Sequence, residues 1–232
     1  MNDYERAESD IGKIYRILKE KNYFQESDFN TRYLPQLQRN MRQFQNISTK
    51  LVVAKLKPKE FVNWHNQNVP TLCYDESNFQ LEVMTLLCQH GLSTFELFKR
   101  FLLNILDLEK INEKTNSTLK NTSMLGDLVN SLKKILTTKT NQIDNLIDVE
   151  FRNTLAHDSW YLDNNFFKFM STKGRQHELS VNDVYHHVVK IWLVNRAITK
   201  KYTEDYYPEI VELYEKELGT IMNEAMPMYQ ED

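Results

Sequence analysis

Five glycines and five prolines punctuate 232 residues, and this scarcity constrains the fold more than any other feature of the chain. An all-β protein needs a turn roughly every 8 to 12 residues, and glycine and proline supply the backbone angles that most tight turns require. This chain lacks them in that number, so a mostly helical fold is expected. Hydrophobic residues make up 41% and charged residues 26%, proportions that exclude a disordered chain, a collagen-like repeat and a coiled-coil rod.

Cys73 and Cys88 have neither CxxC spacing nor an apolar N-terminal leader before them, which predicts reduced thiols and a cytoplasmic protein. No run approaches the roughly 18 consecutive apolar residues of a membrane span. The net charge of −3 hides an asymmetry. Nine acidic residues and one lysine fall between Glu204 and Asp232, so the rest of the chain is mildly basic. Residues 110–139 carry six lysines against Glu113 and Asp127; Lys120, Lys133 and Lys134 are the candidates there for contacting phosphates. The bland alternative is a solvated loop and helix face.

Apolar residues at helical spacing predict a helix over residues 3–21, carried by Ile11, Ile14, Tyr15 and Leu18. Pro35 is placed to open a second helix, and Pro58 another beyond the apolar run Leu51 to Leu56. Ser77 with Gln80, and Ser93 with Glu96, have the spacing of capping boxes. They frame helices ending near Gly91 and Asn112, with Gly91 either a break or a bend. Further helices are expected near Met124 to Leu136 and Ile143 to His157. Trp160 to Lys168, with aromatics flanking Asp163-Asn164-Asn165, reads as a β-hairpin. Ser180 and Asp183 cap a long helix, and Pro208 opens a final acidic one. Three parts are expected: an N-terminal helical extension over 1–70 packed on the core, a helical bundle over 71–204, and an acidic helix over 205–232.

The segment Asp148-Val149-Glu150-Phe151-Arg152-Asn153-Thr154-Leu155-Ala156-His157-Asp158 bears the chemistry. At about 100° per residue, Ile147, Phe151 and Leu155 share an apolar face, while Arg152, Asn153 and His157 span about 140° on another side. Asn153 and His157 are neighbours at i, i+4, and Ala156 leaves room for close approach. His186 and His187 are adjacent on a helix and diverge by about 100°, which suits a half-buried surface pair better than a ligand set. No metal site and no cofactor are expected from the remaining histidines and cysteines.

Arg152-Asn153-Thr154-Leu155-Ala156-His157 resembles the signature of HEPN domains (higher eukaryotes and prokaryotes nucleotide-binding): Arg, four to six residues, then His, often with Asn after the Arg and Ala before the His. The likeness covers roughly residues 75–202. It implies an all-α antiparallel bundle with a small β-hairpin after the motif helix, a homodimer with two motif helices facing each other, and a metal-independent endoribonuclease of toxin or anti-phage type. On that reading Arg152 and His157 are catalytic and Asn153 assists by orienting His157 or holding a phosphate oxygen. Asp158 supports the imidazole more weakly, and Trp160 or Tyr161 stacks a base. The partners would be RNA, a second copy and an antitoxin or regulatory protein. In a subgroup of the family a modifiable Tyr follows two residues after the His; here that position is Ser159, so the likeness does not extend to control by tyrosine adenylylation. The rival readings are a non-catalytic HEPN module that binds RNA or nucleotide or scaffolds a partner, and a helical regulator with no nucleic-acid role.

Overall fold

A computed structural model describes residues 3–27, 32–33, 35–40, 42–43, 46, 76–136, 143–163, 166–171 and 174–211. Helix α1, Asp3–Glu20, forms where the periodicity places it, burying Ile11, Ile14, Tyr15 and Leu18. Asn22, at a φ of 55°, reverses the chain. Tyr23 to Gln25 then run along the end of the next helix: Gln25 N–H donates to Ile105 O at 2.8 Å, and Asp107 N–H to Tyr23 O at 2.8 Å.

That helix is α2, Glu76–Ile105, thirty residues without interruption. Gly91 neither ends nor breaks it. A Cβ at Gly91 would lie 2.9 Å from Val188 Cγ2 and 3.2 Å from Leu155 Cδ1, so glycine is there to let two other helices come close. Ser93 and Glu96 therefore sit inside a helix and cap nothing. The expected continuation to Asn112 is instead a new helix, α3, Leu108–Thr115, because Asp107 accepts the Lys110 N–H at 3.1 Å and starts it afresh.

Helix α4, Leu125–Ile135, matches its expected span. The single helix expected over Ile143 to His157 is two: the short turn α5, Ile143–Leu146, and α6, Val149–Ala156. Asp148 separates them by accepting the Phe151 N–H at 2.8 Å. The expected hairpin is a three-stranded antiparallel sheet, β1 Trp160–Asp163, β2 Phe166–Met170 and β3 Gln176–Ser180, in the order β1-β2-β3. Its register pairs Tyr161 with Lys168 and Lys168 with Glu178. The third strand ends on Ser180, whose hydroxyl and the Asp183 carboxylate close a reciprocal cap on α7, Val181–Tyr206.

Helices α2 and α7 pack on each other at the centre, with α1 against α7, α6 against α2, and β3 leaning on α7. Tyr15 and Lys19 of α1 both reach Asp205 near the end of α7, each at 2.6 Å. Residues of α1, with Tyr33 and Leu37, belong to the main core. The apolar run Leu51 to Leu56, the helix expected at Pro58, Cys73 and the acidic helix beyond Val211 lie outside the described residues. The described residues are mostly helical, with one small antiparallel sheet.

Candidate functional site

Helix α6 is short because both of its ends are capped. Asp148 closes the first turn, and the C-terminus closes on a double bond pattern: Ser159 N–H to Thr154 O at 3.2 Å and Asp158 N–H to Leu155 O at 3.4 Å. Asp158 takes the left-handed conformation this closure needs, at a φ of 49°. His157 is thereby the last residue before the chain turns away, exposed at the helix end. Phe151 and Leu155 hold the opposite face in the core.

Arg152 leaves α6 toward α2. Its Nε donates to Glu96 Oε1 at 3.1 Å, Nη2 donates to the same oxygen, and Nη1 donates to Asn153 Oδ1 at 3.1 Å. Glu96 also accepts from Lys99 through its other oxygen. Burial works against the charge on Glu96, but the hydrogen bonds from Lys99 and Arg152 outweigh it and hold the carboxyl below its ordinary value. The guanidinium is nearly covered, at 12% side-chain exposure. Arg152 and Asn153 are therefore joined, and Asn153 turns its side-chain oxygen to the arginine rather than to the imidazole.

His157 makes no side-chain hydrogen bond or ion pair among the described residues, and the exposed Asp158 carboxylate makes none either. Among the described residues no hydrogen bond joins the Asp158 carboxylate to the imidazole, and the Asp158 backbone closes the end of α6. Alternation along β1 separates the two aromatics. Trp160 is half-buried and stacks on Phe167 with centroids 5.0 Å apart, whereas Tyr161 is 54% exposed. Only Tyr161 of the pair presents its ring to solvent.

No family model, curated protein or solved structure matches this chain.

The three lysines have different neighbours. Lys133 pairs with Asp144, and Lys134 donates to Thr115 O at 3.2 Å. Each binds a neighbouring loop or helix of its own chain; Lys120 is exposed, with its backbone N–H on Ser123 Oγ at 2.8 Å.

Two features at this site escaped the sequence reading. Glu96 lies 56 positions from Arg152, and only the packing of α6 on α2 brings them together. His187 is not merely a surface residue: its Nδ1 lies 3.3 Å from Asp148 Oδ2, and its ring stacks on Phe151 at 4.7 Å. Burial opposes ionisation of Asp148, yet hydrogen bonds from His187 and the Phe151 N–H outweigh it and keep that carboxyl low. Among the described residues no group of three or more His, Cys, Asp or Glu is arranged to hold a metal ion, and no helix is long and apolar enough to cross a membrane.

Proposed function

We propose that this chain is a metal-independent endoribonuclease of HEPN type, a toxin or anti-phage effector that cuts RNA at a site built from two copies of α6. The observation that carries this reading is the end of α6: an exposed imidazole with no partner among the described residues, five positions from a guanidinium held in place by Glu96 and Asn153. In the reaction the RNA 2′-oxygen attacks the adjacent phosphorus and the bond from phosphorus to the 5′-oxygen breaks. His157 moves a proton from the nucleophile or to the leaving oxygen, and Arg152 offsets the charge gathering on the phosphate. The products are a 2′,3′-cyclic phosphate and a 5′-hydroxyl. Tyr161, outward on β1, is the aromatic available to stack a base.

The test is incubation of the purified protein with a structured RNA in EDTA. Cleavage giving cyclic phosphate ends, blocked by 2′-O-methyl at the cut position, is expected. A requirement for Mg²⁺ with 5′-phosphate products would point to a different nuclease chemistry.

The ion pair between Glu96 and Arg152 favours a second reading. A guanidinium already neutralised inside the chain also suits a non-catalytic module in which Arg152 pins α6 to α2. That reading expects no cleavage by the wild type under any condition.

A further inference from the structure

We propose, on the basis of the ribonuclease reading, that Glu96 is a positioning residue for Arg152: it fixes the guanidinium so that its remaining donors face an RNA phosphate. A guanidinium carries five N–H donors. Three are committed here, Nε and one from Nη2 to Glu96, and one from Nη1 to Asn153. One donor is left on each Nη, and a guanidinium N–H is a strong partner for a phosphate oxygen. Glu96 takes the Nε side of the group and leaves these two unspent.

Glu96 is itself held. Lys99, one turn along α2 and with a side chain only 14% exposed, binds its other oxygen. A chain of contacts thus runs from Lys99 through Glu96 and Arg152 to Asn153, tying a short eight-residue helix to the thirty-residue α2. Arginine is among the side chains that lose most freedom when ordered. Glu96 sets that cost against folding, before substrate arrives, so it is not drawn from RNA binding.

The alternative is that Glu96 is a competitor that masks Arg152 from phosphate. The two roles give opposite signs. Positioning predicts that Glu96→Ala lowers kcat about 100-fold, with KM for RNA within about threefold, because misplacement of a catalytic group by about an ångström is worth that much. Glu96→Gln keeps the shape and one acceptor for Arg152, so it should retain folding and recover part of the rate, to about tenfold below wild type. Masking predicts faster cleavage or tighter RNA binding in both variants.

The experiment measures kcat and KM for wild type, Glu96→Gln, Glu96→Ala, Arg152→Ala and the double variant Arg152→Ala/Glu96→Ala, in EDTA, with rates corrected for the folded fraction by circular dichroism. A residue that acts through Arg152 has no further effect once Arg152 is gone, so the double variant should match Arg152→Ala alone. Wild-type rates in the Glu96 variants, rates above wild type, or an equal further loss in the Arg152→Ala background each overturn the positioning role. If wild type cleaves and Arg152→Ala cleaves much more slowly but measurably, any of those results leaves the ribonuclease reading standing. A wild type that cleaves no RNA overturns that reading and this inference together.

Discussion

His157 and Arg152 serve the same proposed reaction but carry different structural duties, and their removal should separate the two. His157→Ala deletes an exposed imidazole that bonds to nothing among the described residues. Its stability should stay within about 0.5 kcal/mol of wild type, while RNA cleavage falls by roughly 10² to 10⁴-fold. Arg152→Ala leaves Glu96 with Lys99 alone and strips α6 of its tie to α2. It should lower cleavage further than the roughly 100-fold loss of Glu96→Ala and also lower stability by about 1 kcal/mol, a figure held down by the partial exposure of Glu96. Thermal melts beside rate measurements check both, and a large loss of stability in His157→Ala would contradict the exposed placement of the ring. A buried histidine also weakens the fold in acid. Burial pushes His90 down to about 4, so the folded protein holds it neutral where the unfolded chain, near 6.5, takes up a proton. The unfolded state then binds more protons between about pH 6.5 and pH 4, and stability falls as pH falls through that window, by about 3 kcal/mol in full. Urea midpoints measured from pH 7.5 to 4 should show this slope, and it should flatten in His90→Gln if that variant folds.

At the scale of elements the decisive position is Gly91. Alanine there would gain about 1 kcal/mol of helix propensity but would press on Val188 Cγ2, whose β-branched side chain has little rotamer freedom within α7. Overpacking costs typically about 1–3 kcal/mol, so Gly91→Ala should destabilise by about 1 kcal/mol net. In a Val188→Ala background, where the closest obstacle is gone and the remaining contact is the end of the Leu155 side chain at 3.2 Å, the same change should cost less or become neutral; calorimetry of the four proteins would show whether it does. Gly91 also marks the limit of sequence reading for this chain. Periodicity reveals α1 and α4, and the Ser180 and Asp183 spacing reveals the start of α7, because those signals are local and no distant contact overrides them. Gly91 and the Ser93/Glu96 spacing look local too, yet their roles are set by α6 and α7, which pack across α2. Asp107 and Asp148 are the reverse case: each interrupts an apolar pattern that continues through it, so the pattern suggests one helix where an aspartate cap makes two. The third strand escapes because Gln176 to Ser180 is polar on a small sheet that packs one face only. Within the motif, the division of α6 into a core face and a polar face was legible from spacing. The partner of Arg152 was not, since nothing in a local window announces a glutamate 56 residues away.

For the molecule as a whole, the proposed site is incomplete in one chain. Arg152 and His157 are about 140° apart around α6 at 100° per residue, and Arg152 is drawn further aside by its pairing to α2. One imidazole also has two proton transfers to serve, at the nucleophile and at the leaving oxygen. A second copy brought up by two-fold symmetry would place another Arg and another His across from the first and supply both deficits. Light scattering at micromolar concentration should therefore report about twice the monomer mass, and a strict monomer at every concentration would remove the composite site. Mixing of inactive variants tests how the work is shared. Arg152→Ala and His157→Ala homodimers each lack one group in both copies. A mixed dimer keeps one intact His on one chain and one intact Arg on the other, so a site drawing on both chains is rebuilt once per dimer, whereas a site confined to one chain is not. Subunit exchange followed by a cleavage assay in EDTA should recover a fraction of wild-type activity, up to about a quarter for a statistical mixture, since about half of the dimers are mixed and each holds one rebuilt site where the wild type holds two. No recovery in verified mixed dimers would mean that each chain cuts with its own Arg152 and His157, or that all four groups act together.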